Sequence, residues 1–233
     1  MKPRASRSIF WRVMLWALVL LLAYQAWLFL HVWWWVGHNP DSSAFMAAQA
    51  KALQTRNPDA EIQHRWVPYN RISNNLKRAV IAAEDAKFVD HEGFDWDGMQ
   101  KAYEKNVKKG KIIAGGSTIS QQLAKNLFLS GGRTPWRKLE EAMITVMLEN
   151  MMNKRRIFEI YLNSIEWGNG VFGAEAAARH YYHISAAGLD ATQAAQLAAM
   201  VPNPRFYDTH RAARGLAKKT GIILARMNSA EVP

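Results

Sequence analysis

The chain of 233 residues contains no cysteine. That excludes a disulfide framework, a thiolate metal site and a cysteine nucleophile, and it leaves the redox compartment open. No internal repeat is visible, so a repeat architecture is not expected. Residues 1–12 contain no acid; they hold Lys2, Arg4, Arg7 and Arg12. From Val13 to Val36 there is no charged residue unless His31 is protonated. At about 1.5 Å per residue that run spans a hydrocarbon core of about 30 Å. Trp11 at one end and Trp33, Trp34 and Trp35 at the other suit the two membrane interfaces. The basic flank predicts a cytoplasmic N-terminus with the remainder outside. A cleaved signal peptide competes with this reading, but its apolar stretch would be about 7–15 residues with a small-residue cleavage site. The longer run ending in tryptophans favours an uncleaved anchor. Gln25 and His31 read as tolerated polar residues on the span or at a helix interface, in preference to a proton relay.

Hydrophobic residues make up 49% of the chain, enough for a core, and the net charge is +11 with a pI near 9.9. Such a balance suits nucleic acid, anionic lipid or a phosphate-bearing substrate. Beyond the first 12 residues, 26 Lys and Arg face 19 Asp and Glu, a net +7. A basic domain tethered to a bilayer lies against anionic headgroups, and no nucleic acid is expected on that side. The expected division is a basic tail over 1–12, a transmembrane helix over 13–36, a linker with a short helix (Phe45, Met46, Leu53) over 37–60, and one folded domain over 61–233. Within that domain Glu61 to Val67 reads as a short extended piece ending at Pro68.

The chemistry is placed at Glu84-Asp85-Ala86-Lys87-Phe88-Val89-Asp90-His91-Glu92-Gly93. Ser73 caps a helix whose apolar stripe is Leu76, Ala79, Val80 and Ala83, and the stripe runs into Glu84. If the helix continues, Glu84, Phe88 and His91 share one face while Asp85 points away by roughly 100°. A carboxylate at the end of an apolar helix beside an aromatic is partly desolvated, which raises its pKa and makes it a better base. The competing reading is a surface Glu-Asp pair past a buried stripe.

Asp95 reads as the cap of a helix with Trp96, Met99, Gln100 and Tyr103. Lys105 to Gly116, with Lys108, Lys109 and Lys111, reads as a mobile basic loop, either closing over a phosphorylated ligand or merely solvated. In Gly115-Gly116-Ser117-Thr118-Ile119-Ser120-Gln121-Gln122-Leu123-Ala124-Lys125-Asn126, Thr118 and Gln121 form a capping box and Ile119, Leu123 and Leu127 a buried stripe. Gln122, Lys125 and Asn126 then share a polar face. Further on, Thr134 is an N-cap and Pro135 the first helical residue. Leu139, Met143, Val146 and Met147 mark the expected buried side. Arg133, Arg137 and Lys138 crowd this helix start, where each cation is unfavourable by about 0.3–1 kcal/mol unless an anion binds among them. An Arg137–Glu141 bridge at i, i+4 is the alternative, worth about 0.2–0.5 kcal/mol.

Lys154 to Asn163 carries a stripe of Ile157, Ile160 and Tyr161 and reads as mostly structural. Gly168, Gly170 and Gly173 make a turn before a helix over Ala174 to Tyr182. His180 and His183 in this region read as surface histidines, since no acid or cysteine accompanies them as a metal site requires. Asp190 and Gln193 cap Ala191 to Met200, which Pro202 and Pro204 end. The last helix is read over Arg211 to Met227, with Leu216, Ile222, Ile223 and Met227 as core.

Five stretches in this order resemble the motifs of the peptidoglycan glycosyltransferases, glycosyltransferase family 51. They are E-D-x-x-F-x-x-H-x-G from Glu84, G-x-S-T-I-x-Q-Q-x-x-K-N from Gly115, and R-K-x-x-E at Arg137, Lys138 and Glu141. The fourth is K-x-x-I-L-E-x-Y-L-N from Lys154, with Phe158 in place of leucine, and the fifth is the G-x-x-x-A-A region before Tyr181 and Tyr182. The resemblance covers roughly Trp66 to Met227.

The resemblance implies an all-α, mainly helical, lysozyme-like domain with one N-terminal transmembrane helix, of the kind without a transpeptidase module. It implies polymerisation of lipid II at the bacterial inner membrane. Glu84 is then the catalytic base and Glu141 the second important carboxylate. The substrate-binding set is Asp85, Phe88, His91, Ser117, Thr118, Gln121, Gln122, Lys125, Asn126, Arg133, Arg137, Lys138 and Lys154. The implied partners are lipid II, the lipid-linked glycan chain, the membrane and other wall-synthesis proteins. No dedicated metal cage is visible, so a divalent cation (Mg2+ or Mn2+) near Glu141 is expected to be held mainly through the substrate pyrophosphate. Two alternatives stand beside this reading. A membrane-anchored lysozyme-like hydrolase would need a carboxylic acid to protonate a sugar leaving group, a task the Lys and Arg cluster does not serve. A non-catalytic cell-wall anchor would bind precursors without turnover.

Overall fold

The computed structural model describes residues 4–111, 115–129, 132 and 134–233. It separates into two units, residues 1–39 and residues 40–233. The first is a single helix, α1 (Arg4–Gly37). Its stretch Ile9–Gly37 is long and apolar enough to cross a membrane, as the uncharged run predicts. Within it the His31 Nδ1 hydrogen-bonds the Trp27 carbonyl one turn back at 2.9 Å, so this polar residue is satisfied inside its own helix.

The second unit is mainly helical and begins earlier than the sequence reading placed it. Helix α2 (Ala44–Gln54) is capped by Ser43, whose Oγ accepts from the Met46 amide. It is tied into the domain by Gln49 Nε2 donating to Asn169 Oδ1 at 3.0 Å, and by Phe45 meeting the Phe172 ring edge-on. It is thus part of the folded domain and not of a linker. A small sheet follows the order β1 (Gln63–His64), β3 (Val171–Phe172), β2 (Glu166–Gly168). β1 runs parallel to β3 with Gln63 opposite Val171; β2 is antiparallel, with a bulge between Glu166 and Gly168 that leaves Trp167 fully buried.

The helices that position the cleft are α3 (Asn74–Glu84), α4 (Trp96–Lys109), α5 (Ile119–Phe128), α6 (Pro135–Met151) and α7 (Lys154–Ser164). After them come α8 (Ala174–Tyr182), α9 (Ala191–Met200), α10 (Pro204–Thr209) and α11 (Arg214–Arg226). α5 packs on α6 and α7, while α3 packs on α9, which also carries α11. The alanines Ala194, Ala195, Ala198 and Ala199 are buried, and their small side chains let α9 sit close to its neighbours. Leu76, Val80, Ile81, Phe88, Leu123, Ile144, Phe158 and Tyr161 form the core.

The caps fall where the sequence puts them. Thr118 with Gln121 and Asp190 with Gln193 are complete capping boxes, and Thr134 caps α6 with Pro135 at its start. Several other expectations change. α4 is helical through Lys109 and stops at Gly110 in the left-handed conformation, so Lys105 to Lys109 are not loop; residues 112–114 lie outside the described residues. The last helix starts at Arg214, because the short α10 and a turn precede it, and Ile222 is exposed instead of core.

The buried side of α6 is Glu141, Ile144, Thr145 and Leu148. Trp136 (79% exposed), Leu139 (52%), Met143 and Val146 (48%) face outward. Both faces have helical spacing. The inward one carries polar residues because Glu141 is met by cations and the Thr145 hydroxyl donates to the Glu141 carbonyl at 2.7 Å.

Candidate active site

α3 ends at Glu84 instead of continuing to His91. Asp85 leaves helical geometry at φ −162°, ψ 76°, so the two neighbouring carboxylates diverge. Asp85 turns into the core, where its Oδ2 accepts from the Ile119 amide at 3.0 Å and its carboxylate accepts from His91 Nε2. His91 Nδ1 accepts from the Gly93 amide at 3.1 Å, which places the ring hydrogen on Nε2, facing Asp85. Asp85 therefore anchors the start of α5, whose free amides and dipole favour an anion there.

Phe88 is fully buried against Phe158 and His91. Gly93 has φ +87°, and a Cβ there would meet Thr145 Cγ2 at 2.8 Å. Its carbonyl accepts from Thr118 Oγ1 at 2.7 Å. Of this motif Glu84, Asp85 and Lys87 border the cleft, while Phe88, His91 and Gly93 pack behind them. Asp85→Ala is expected to cost about 1.5–3 kcal/mol, the scale of hydrogen bonds to an ionised acceptor, read as a lower urea midpoint at unchanged slope.

Glu84 borders two adjoining cavities. One, of about 240 Å³, is lined by Glu84, Asp85, Lys87, Lys101 and Gly115 to Thr118. The other, of about 200 Å³, is lined by Ala82, Ala83, Pro202, Ile222 and the basic residues Lys219 and Arg226. A third, of about 390 Å³, lies beyond Gln122, Lys125 and Asn126 and reaches Phe45, Glu166 and Arg205. Gln122 Nε2 donates to Glu84 Oε2 at 2.8 Å, and the Tyr161 hydroxyl donates to Gln122 Oε1 at 3.0 Å. Burial raises the Glu84 carboxyl above the ordinary range. The Gln122 hydrogen bond and the charges of Lys219 and Lys125 oppose that rise, and Asp85 adds to it.

The second carboxylate, Glu141, is buried and meets Lys138 through Oε1 and Arg137 Nη1 through Oε2 at 3.6 Å. The bridge weighed against an external anion is thus present, and both first-turn cations converge on this acid. Arg137 Nε is buried and has no hydrogen-bond partner among the described residues. Lys125 stands between the two acids electrostatically. Burial lowers its pKa; Glu141 raises it, Arg137 and Lys138 lower it, and Glu84 raises it. Three cations around one acid leave this cluster with a net positive charge.

That donor set does not fit a protein-held Mg2+ or Mn2+, whose oxygen-rich shell needs more than one carboxylate already engaged by cations.

The structure does not bring every candidate to the cleft. Ser117 and Thr118 line the cavity beside Glu84 and Asn126 the larger one; the Thr118 hydroxyl and the Gln121 side chain are engaged in the cap, and Gln121 lines neither of these cavities. Lys154 sits at 2.8 Å from Glu149 Oε1, with its ammonium 4.7 Å from the Phe88 ring centroid. Arg133 lies outside the described residues. Two residues bearing on Glu84 were not singled out as site residues: Tyr161, read only as packing, and Lys219 on the last helix. Neither carries a local signal, since each meets Glu84 through the tertiary fold. His180, read as a surface residue, bonds Asp208 at 3.1 Å, and His183 is the left-handed C-cap of α8.

A buried acid of raised pKa on a helical scaffold, accepting from Gln122 and electrostatically coupled to Lys125, is a site suited to general acid-base chemistry. The family model described as Transglycosylase matches residues 49–228, and the chain belongs to that family. This is the family of peptidoglycan glycosyltransferases that the five motifs resemble, and the chain is an enzyme of that family with its mainly helical, lysozyme-like domain.

Among curated relatives, the biosynthetic peptidoglycan transglycosylase of Methylobacillus flagellatus is 73% identical over 227 residues, covering 97% of this chain and 99% of that protein. Those of Chromobacterium violaceum and Laribacter hongkongensis are each 66% identical, covering 91% and 93% of this chain, and 93% and 95% of their own lengths, respectively.

Proposed function

We propose that this enzyme polymerises lipid II into β-1,4-linked glycan strands at the outer face of the bacterial inner membrane, releasing undecaprenyl diphosphate. The observation that carries the reading is Lys125, a half-buried cation coupled to both Glu84 and Glu141. It links the base electrostatically to the cations Arg137 and Lys138 around Glu141. Glu84 takes the proton of the acceptor sugar's 4-hydroxyl. That oxygen bonds to the donor's anomeric carbon from the opposite face as the bond to the diphosphate oxygen breaks, which inverts the centre. The diphosphate leaves with the electron pair. Its charge is met by Lys125, Arg137 and Lys138, so no proton donor is required. Arg133 completes that set in this reading. The raised Glu84 pKa suits proton abstraction near neutral pH.

The exposed apolar face of α6 and the apolar helix α1 support work at a lipid boundary. A Lys and Arg pocket where a hydrolase would need a proton-donating acid counts against cleavage of glycan.

The test is incubation of the purified chain with labelled lipid II in detergent. Polymer that a muramidase digests is the expected product. Cutting of purified glycan strands without polymer would replace this reading with the hydrolase, and lipid II binding without either activity would replace it with the anchor.

A further inference from the structure

Glu84 hangs from a chain of two hydrogen bonds that begins on a different helix. Tyr161 is completely buried on α7, and its hydroxyl reaches only one acceptor among the described contacts, Gln122 Oε1 on α5 at 3.0 Å. The same amide presents Nε2 to Glu84 Oε2 at 2.8 Å. An ionised carboxylate can only accept, so the amide must turn its NH2 toward Glu84 and its carbonyl toward Tyr161. Among the described residues, the Tyr161 hydroxyl is the donor that satisfies that carbonyl. A flipped amide would set its oxygen against the carboxylate, an arrangement that only protonated Glu84 tolerates.

We infer that Tyr161 is a positioning residue for the transfer reaction, fixing the orientation of the Gln122 side chain so that it donates to Glu84 and holds that acid in its ionised, base-competent form. The inference rests on the reading of Glu84 as the base. Burial pushes the Tyr161 phenol well above its ordinary range, so the hydroxyl keeps its hydrogen throughout the working pH range. The other groups bearing on Glu84 are Asp85 beside it, Lys125 from α5 and Lys219 from α11; Lys87, Asp95 and Lys101 share one bordering cavity and Arg226 the other. None of them is touched by removing the Tyr161 hydroxyl, and the aromatic ring that fills the core remains.

The experiment is the pH dependence of kcat/KM for lipid II polymerisation in the wild type, Tyr161→Phe, Gln122→Leu, the double variant and Glu84→Gln. Amide donation favours the carboxylate, so its loss raises the pH at which Glu84 ionises. Tyr161→Phe is expected to move the acid limb upward by about one pH unit, the equivalent of one amide hydrogen bond to an ionised acceptor. The alkaline limb should not move. In the Gln122→Leu background Tyr161→Phe should shift the acid limb no further, because the hydroxyl acts only through that amide.

An unshifted acid limb in Tyr161→Phe, with Glu84→Gln inactive, overturns the inference and leaves the base assignment intact. So does an additional shift in the double variant. Full activity of Glu84→Gln overturns the base assignment itself. Should Tyr161→Phe misfold, Gln122→Leu against Gln122→Glu supplies the same reading. Loss of the donor in Gln122→Leu must move the acid limb upward, and Gln122→Glu, which sets a second acid against Glu84, must move it further; failure of both shifts overturns the proposal.

Discussion

Glu84→Gln is expected to lower polymerisation by about 10²–10⁴-fold, the range attributed to a positioned general base. The exchange keeps shape, and the new side chain can still accept from Gln122 Nε2. The loss should appear in kcat, with lipid II binding retained. A second readout separates this outcome from misfolding. The folded-state pKa of Glu84 is raised by burial, so the folded form holds its proton more tightly than the unfolded chain. Wild-type stability is then greatest below the ordinary carboxyl range and declines as pH rises from that range through the raised value. Glutamine carries no such penalty. Glu84→Gln should match the wild type at low pH and melt higher at neutral pH, by roughly 2–4 °C for each kcal/mol relieved in a domain of this size. An inactive variant that melts lower at neutral pH would mean that the carboxylate has a structural role the geometry does not give it.

Glu141→Gln is expected to reduce the rate by about 10²-fold, the scale of removing one organised electrostatic contact to a developing charge. Glu141 is the convergence point of Arg137 and Lys138 and the largest influence holding up the pKa of Lys125 against its burial. Without it Lys125 loses its proton at lower pH. The alkaline limb of kcat/KM should therefore move downward while the acid limb, set by Glu84, stays. Because Lys138 is half-exposed, its bond to Glu141 contributes little to stability, and the change should be larger in activity than in unfolding midpoint. Restoration of the rate by excess divalent cation, with an unmoved alkaline limb, would instead make Glu141 a metal ligand.

The parts of this site that the sequence announces are those settled within a few residues. Thr118 with Gln121, Thr134 with Pro135, and Asp190 with Gln193 cap their helices because the partners lie three positions apart or less. What periodicity cannot say is which of two faces turns inward. On α6 the apolar residues Leu139, Met143 and Val146 look like core, yet the helix buries a glutamate because cations from its own first turn neutralise it. Asp85 illustrates a second limit. Its turn out of the helix is driven by the Ile119 amide and His91, which no local pattern around Glu84 reveals. Tyr161 and Lys219 reach Glu84 only because α7 and α11 fold beside it. The family motifs singled out Glu84 without that knowledge, but not the network that tunes it.

The clamp made by Asp85 on Ile119 and by Gly93 on Thr118 closes the intervening segment at its base. The described residues between these two bonds, α4 among them, then form an excursion pinned at both ends. Lengthening such an excursion costs little, only about 0.6 kcal/mol per doubling of a flexible loop. Glu84 and Lys125 keep their separation whatever the excursion does, since their helices are joined below it. This makes α4 and its flanks the place where the mouth of the cleft can be re-tailored, by natural drift or by grafting, with the reacting groups left undisturbed.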